Sequence, residues 1–259
     1  DINAFGGINL WIVILLQPLY LYFDFSGYTD IAIGFSKMYG IDLLPNFNRP
    51  FLSENITTLW RRMHMSLSLW FNDYVFKQVS FRYRKWGKYA SVFAVFLTFT
   101  LFGIWHGAGW NFMILGFLQA LAINYEFFTK KIRISLFSKI PSHSRIWTGR
   151  ICTYFFFGLS HVFFFSPDLN TSMKFFDKLF DFSGTLYKGI FSEFIILSFF
   201  CTAILLVIEW LYSDNKEGYD KMIEFWTSHK VMRRILYYFI TILVLLQLNR
   251  EVSFIYQMF

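Results

Sequence analysis

The chain is short of charge. Only 16% of its 259 residues are Asp, Glu, Lys or Arg, whereas a soluble domain carries about 25%. Set beside 56% hydrophobic residues, this shortage excludes disorder, collagen and a coiled coil. Cysteine is nearly missing, with Cys152 and Cys201 the two present, each inside an apolar stretch. A disulfide framework and a CxxC metal site are thereby excluded, and both thiols are expected to be buried and inert. No GxSxG, Walker A, HExxH or GxGxxG word occurs with suitable flanks. A continuous basic face is lacking too. The net charge of +7 sits between apolar runs, which argues against a nucleic-acid partner. The basic start and small-residue cleavage site of a signal peptide are not found. The chain opens at Asp1 and enters an apolar segment at once. Residues 1–259 are therefore read as the C-terminal portion of a single domain of a longer protein.

What the chain has in excess is phenylalanine, 36 residues, within an aromatic content of 23%. A helix needs roughly 20 mostly apolar residues to cross a bilayer. Six runs meet or approach this: Ile8–Phe23, Tyr89–Trp105, Trp110–Phe128, Ile151–Phe165, Ile190–Tyr212 and Ile235–Leu248. Hiding them all would demand a very large soluble core. A helical membrane protein needs none, because each segment closes its own backbone hydrogen bonds. The expected fold is all-α: a polytopic integral membrane protein in contact with lipid.

Two stretches depart from this pattern. Gly40–Arg49, "GIDLLPNFNR", is rich in turn residues. Ser53–Phe76 is amphipathic. If helical throughout, it places Trp60, His64, Leu67 and Phe71 on one stripe, with Arg61, Arg62 and Asp73 off it. Such a segment lies in the membrane interface or dips between true spans. Lys77, Arg82, Arg84, Lys85 and Lys88 form one basic loop, and Lys130, Lys131, Arg133, Lys139, Arg145 and Arg150 another. Both are expected on the cytoplasmic side, so the two spans between them form an outward-pointing hairpin.

Polar groups at membrane depth are costly and are candidates for function. His143 and His229 stand in basic, loop-like surroundings and are expected to be exposed. His161 follows Ser160 in a Phe-rich run, where a lone histidine is more often an interhelical hydrogen-bonding residue. His106 lies in "LFGIWHGAGWNF", bracketed by Gly103, Gly107 and Gly109. Glycine permits close backbone approach, so this histidine either faces a cavity or is a packed residue at a helix crossing. His64 follows Arg61 and Arg62 in "TTLWRRMHMSLSLW". The two guanidinium groups either hold phosphate or carboxylate groups or snorkel from an interfacial helix. Asp24, Ser26, Tyr28 and Asp30 lie in "YFDFSGYTDIAIGF", where the two aspartates, six apart, suit a polar pore lining. No metal site is expected, since neither His64 nor His106 has a second ligand at suitable spacing.

Three long words, "YFDFSGYTDIAIGFSKMYGIDLLPNFNRPF" at 22–51, "ITTLWRRMHMSLSLWFNDYVF" at 56–76 and "LFGIWHGAGWNFMILGFLQA" at 101–120, resemble the membrane-bound O-acyltransferase (MBOAT) family. The tail "FIYQMF" at 254–259 fits the same bacterial branch, which modifies alginate and teichoic acid. Met63 stands where the family word usually has Trp. The resemblance implies an MBOAT-type helical bundle with re-entrant or interfacial helices, in the cell inner (cytoplasmic) membrane. It implies that His106 is catalytic and that His64 is the second functional histidine. It further implies a substrate tunnel lined by Trp105, Asn111, Trp60, Arg61 and Arg62, with Asp24, Ser26, Tyr28, Asn48 and Asp73 contributing. No bound cofactor is implied. The donor substrate is an acyl thioester, acetyl-CoA or an acyl carrier. The acceptor is an extracytoplasmic polysaccharide, reached through a periplasmic acetyltransferase partner. D-alanyl transfer to teichoic acid is the nearest alternative. On the residues alone, a transporter-like or purely structural membrane subunit also stays open.

Overall fold

A computed structural model of the chain describes residues 6–182, 200, 202–208, 211 and 216–247. The tail at 254–259, Cys201 and most of the apolar run Ile190–Tyr212 lie outside the described residues. Two units are distinguished, Asp1–Lys188 and Gly189–Phe259. Among the described residues there is helix and no strand, so the expected all-α membrane fold is what forms.

In the first unit, α1 runs Gly7–Met38 and α2 Ile56–Trp60. Next come α3, Met65–Phe71, a π-helical turn Asn72–Phe76, and α4, Lys77–Arg82. Helix α5 spans Lys88–His106, α6 Trp110–Leu136, α7 Ser142–Phe165 and α8 Leu169–Lys178. The second unit contains α9, Lys216–Ser228, and α10, Lys230–Gln247.

Three described helices are long and apolar enough to cross a membrane: α1, α5 and α6 with its extension to Lys139. Of the six apolar runs, the stretch 190–212 lies mostly outside the described residues, and two of the other five fall short of a full crossing. Between Arg150 and the end of α7 only Ile151–Phe165 is free of charge, which falls short of a full crossing. The run that begins at Ile235 is likewise too short. Helix α1 errs the other way. It continues through Gly27 to Met38, and at 1.5 Å per residue its 32 residues reach about 48 Å. That exceeds a hydrocarbon core of about 30 Å, so α1 must tilt or project beyond it.

Helices α5 and α6 form an antiparallel hairpin, and glycine decides how closely they pack. A Cβ on Gly103 would overlap the Phe112 carbonyl, and one on Gly116 the Phe99 carbonyl. Phe96 meets Phe117 at 5.3 Å between ring centroids, and the Lys88 ammonium lies 5.6 Å from the Phe128 ring. This register puts the basic residues at the start of α5 and the end of α6 at one end of the hairpin. The turn after His106 is at the other, about 28 Å away along α5. The charge pattern had placed both basic stretches on one side, and the hairpin agrees.

Helix α7 crosses α1 at a third such point. A Cβ on Gly158 would overlap the Ile14 carbonyl. Gln17 donates its side-chain amide to the Gly158 carbonyl, and the Tyr154 hydroxyl donates to the Leu15 carbonyl. The polar residues that interrupt these apolar runs are thus hydrogen-bonded at depth, as a medium without water requires. Leu10, Ile14, Val162, Phe175 and Leu179 fill the space between α1, α7 and α8.

The segment 54–86 is not one amphipathic helix. It enters and leaves on the side of the basic residues. Glu126, near the basic end of α6, accepts hydrogen bonds from the N–H groups of Ile56 (2.6 Å) and Thr57 (3.0 Å) and from the Thr57 hydroxyl (2.6 Å). Asn55 caps the same helix through Thr58 N–H, at 2.8 Å. From this anchor α2 climbs along α6 until Trp60 reaches Gln119 (3.0 Å). The chain turns at His64 and descends along α5, with Phe71 on Phe102 (5.4 Å) and Tyr83 on Phe93 (5.4 Å). The stripe Trp60–His64–Leu67–Phe71 therefore does not exist as one helix face. Helix stops at Trp60 and resumes at Met65. Replacing Glu126 with Ala is expected to cost about 1–2 kcal/mol of local stability, the worth of a helix cap. Amide hydrogen exchange at Ile56–Trp60 checks this, and unchanged protection there contradicts the anchoring role.

Cys152 corrects another expectation. It is exposed on α7, not buried. In a membrane protein the lipid-facing side of a helix is as apolar as its core, so apolar neighbours in sequence do not report burial in the protein. His143 and His229 are exposed, as expected.

Candidate active site

His64 sits at the tip of the re-entrant hairpin in a conformation that side chains rarely adopt, φ 47° and ψ 51°. No glycine or proline accounts for the turn. It is imposed by the loop 46–48. The Asn48 N–H donates to the Arg62 carbonyl (2.8 Å) and the Met65 N–H to the Asn46 carbonyl (2.9 Å). The Asn46 side chain accepts from the Ser66 N–H at 3.0 Å. The chain is thus strapped on both sides of His64, while the His64 carbonyl accepts the N–H of Ser68 in α3. A left-handed residue other than glycine costs about 1–3 kcal/mol, and here the straps hold it.

His106 is the last residue of α5, at the turn of the α5–α6 hairpin, and is 8% exposed. The glycines beside it serve packing. A Cβ on Gly107 would strike the Phe112 ring, and one on Gly109 the Asn111 side chain. The two histidines, 42 positions apart, meet the same aromatic cluster. His64 packs edge-on to Phe25 (4.6 Å) and to Trp105 (6.1 Å). His106 packs against Trp105 (4.8 Å), Phe102 (5.1 Å) and Phe164 (5.1 Å). Trp105 thus bridges His64 and His106, and a third imidazole, His161, joins the cluster through Phe164. His161 lies on Phe157 at 3.7 Å and is 5.9 Å from Phe164. Its Nδ1–H donates to the Phe157 carbonyl at 2.8 Å. That bond stays within α7, whereas an interhelical one was expected.

The remaining candidates divide into four groups. Trp60 and Asn111 are structural members of the cluster's wall. The Trp60 indole N–H donates to Gln119. The Asn111 amide donates to the carbonyls of Phe163 (3.1 Å) and Ser166 (2.9 Å), tying the start of α6 to the end of α7. Trp105, 51% exposed, lies at the edge of the cluster, and Asp24 is half-buried on α1. Arg61, Arg62 and Asn48 belong to the turn and its strap, with the Arg61 side chain exposed and Arg62 half-buried. Ser26, half-buried, accepts the Thr29 hydroxyl at its carbonyl, and Tyr28 faces outward. Asp73 is an exposed partner of Lys77 at 2.7 Å. Neither Tyr28 nor Asp73 joins the histidine cluster. Replacing Asn111 with Ala leaves two buried carbonyls without donors, at about 1–3 kcal/mol each. A several-degree fall in melting temperature in detergent is the expected result, and an unchanged one contradicts the tie.

Sequence reasoning missed Phe25, Phe164, Gln119 and the Asn46 strap, and read His161 as a hydrogen-bonding residue apart from the site. Gln119 gave a usable signal, being an uncharged polar residue at depth in an apolar run. Phe25 and Phe164 gave none, since any of 36 phenylalanines could have been the neighbour.

The fold and this site define an α-helical membrane protein that carries a half-buried and a buried imidazole, His64 and His106, at the junction of a re-entrant hairpin and a helical hairpin. Residues 2–167 match the family model described as MBOAT, membrane-bound O-acyltransferase family. The chain belongs to that family. It is similar to the teichoic acid D-alanyltransferase of Bacillus subtilis (strain 168), with 46% identity over 118 residues, 43% of this chain and 30% of that protein. It is 36% identical over 172 residues to the peptidoglycan O-acetyltransferase of Helicobacter pylori, covering 64% of this chain and 31% of that one. It is 31% identical over 174 residues to the probable alginate O-acetylase of Pseudomonas aeruginosa, covering 67% of this chain and 32% of that one. The matched stretch spans about a third of each of these relatives.

Proposed function

We propose that this protein transfers an acyl group, acetyl in the first instance, from a thioester donor to hydroxyl groups of an extracytoplasmic polysaccharide. The observation that carries the reading is the meeting of His64 and His106 on one aromatic cluster. A sugar hydroxyl is a weak nucleophile near neutral pH and needs a base at its proton. Neutral His106 takes that proton as the hydroxyl oxygen attacks the thioester carbonyl carbon. The carbonyl becomes an oxyanion, and His64 orients the acceptor or donates a hydrogen bond to that charge. Collapse of the intermediate breaks the carbon–sulfur bond. The departing thiolate recovers the proton from His106, leaving an ester and a free thiol.

The donor is acetyl-CoA or an acyl carrier on the cytoplasmic side, where the basic residues 77–88 attract an anionic group; Arg61 and Arg62, expected to share that role, lie instead beside the turn at His64, toward the other end of the hairpin. The acceptor lies outside the inner membrane, and a periplasmic acetyltransferase is the partner that would pass the group onward. Support for polysaccharide acceptors comes from the relatives, whose names speak of peptidoglycan and alginate. The teichoic acid D-alanyltransferase, matched at 46% identity, supports D-alanyl as the second reading. Mild base releases ester-linked groups from envelope glycans. Mass analysis of the released material, with and without the gene, separates acetate from D-alanine. Acetate that disappears with the gene supports the first reading. D-alanine supports the second, and no gene-dependent ester contradicts both.

A further inference from the structure

Three buried residues that take no part in this chemistry, Trp60, Gln119 and Ser160, form one connected hydrogen-bonded chain. The Trp60 indole donates to Gln119 Oε1 at 3.0 Å, Gln119 Nε2 donates to Ser160 Oγ at 2.7 Å, and Ser160 Oγ donates to the Phe157 carbonyl at 2.9 Å. Each link has one donor and one acceptor, so the glutamine amide has a single consistent orientation. Gln119 is 1% exposed and Ser160 2%. A buried amide that lost these partners would be costly.

The position of this side chain is informative. Gln119 is one helical turn beyond Gly116, where α6 touches α5 backbone to backbone. From there it reaches Trp60 on the ascending limb of the re-entrant hairpin, four residues before His64. In the other direction it reaches Ser160, the residue before His161. Trp60 in turn lies 4.8 Å from Phe102, the ring that packs on His106. This amide therefore ties the ascending limb of the hairpin that ends in His64 to α6 and, through Ser160, to α7, nearer the histidines than the anchor at Glu126.

We propose that Gln119 is a positioning residue for acyl transfer, holding the hairpin at the depth where His64 meets His106. This rests on the acyl-transfer reading above. Gln119→Met keeps the length of the side chain and removes both hydrogen bonds. Transfer is measured in membranes carrying the intact protein, with radiolabelled acetyl-CoA as donor and activity normalised to protein amount. The expected result is a fall in kcat of about 10²-fold, the scale of a misplacement of about 1 Å, with KM for acetyl-CoA changed less than twofold. Ser160→Ala, which removes one link, is expected to show a smaller fall in kcat, and the double variant no greater fall than Gln119→Met alone. If Gln119→Met does not accumulate in the membrane, Ser160→Ala carries the same kcat and KM comparison. A wild-type kcat in either folded variant overturns the proposal, as does a loss that vanishes on normalisation. His106→Ala measured in parallel separates the two failures. If it is fully active, the acyl-transfer reading fails. If it is inactive while Gln119→Met is active, only the positioning role fails.

Discussion

His106→Ala in the intact protein is expected to lower acyl transfer by about 10²–10⁴-fold, the usual contribution of a positioned base. Protein amount in the membrane should stay the same. The ring is buried at the end of α5 among Phe102, Trp105 and Phe164, and removing it leaves a small cavity at a helix terminus. Helix pairing survives, because the α5–α6 contact is made further down, at Gly103 and Gly116. Loss of function with retained fold is thus the signature of a catalytic imidazole. Equal loss of protein and activity would instead mark a packing residue, which the glycine-rich surroundings of His106 also allowed from the sequence.

Gly116→Leu should have the opposite signature, loss of the folded protein itself. A Cβ at this position would overlap the carbonyl of Phe99 and approach its carbonyl carbon and the Thr100 Cα. These are backbone atoms of α5, and they cannot yield as the tip of a side chain can. The two helices must separate. That breaks the packing of Phe96 on Phe117 and lifts His106 away from the Asn111 tie to α7. Overpacking in a core costs about 1–3 kcal/mol when side chains can adjust, and a backbone overlap exceeds that range. The expected outcome is a protein that fails to accumulate or elutes as aggregate from detergent size-exclusion chromatography. A monodisperse, active Gly116→Leu protein would refute the close crossing. Gly27→Leu is the control, since nothing lies within 4 Å of a Cβ there.

Much of this was legible in the residues. Apolar runs with at most one charge gave α5 and most of α6, and the two basic clusters fall at one end of their hairpin as expected, because both signals are local. The turn at His64 was not legible. The residues from Ile56 to Phe71 favour helix, and the break is imposed by Asn46 and Asn48, which bond to backbone groups around a position 16 residues or more away. Tertiary hydrogen bonds overrode local preference, and the helical stripe drawn from spacing failed with it. Trp60 shows the same limit. Its place near the site was legible, but its indole N–H goes to Gln119, and that pairing depends on how deeply the hairpin sits. The count of spans erred at α7, where Arg150 cuts the apolar stretch short.

The most direct test of the histidine pair is a double-mutant cycle on acyl transfer, with His64→Ala, His106→Ala and both together in membranes carrying the intact protein. Groups that act as one unit are strongly non-additive. The expected result is that each single variant is severely impaired and the double variant is no worse than His106→Ala. Wild-type transfer in either single variant, or losses that multiply as for two independent sites, would contradict the pairing.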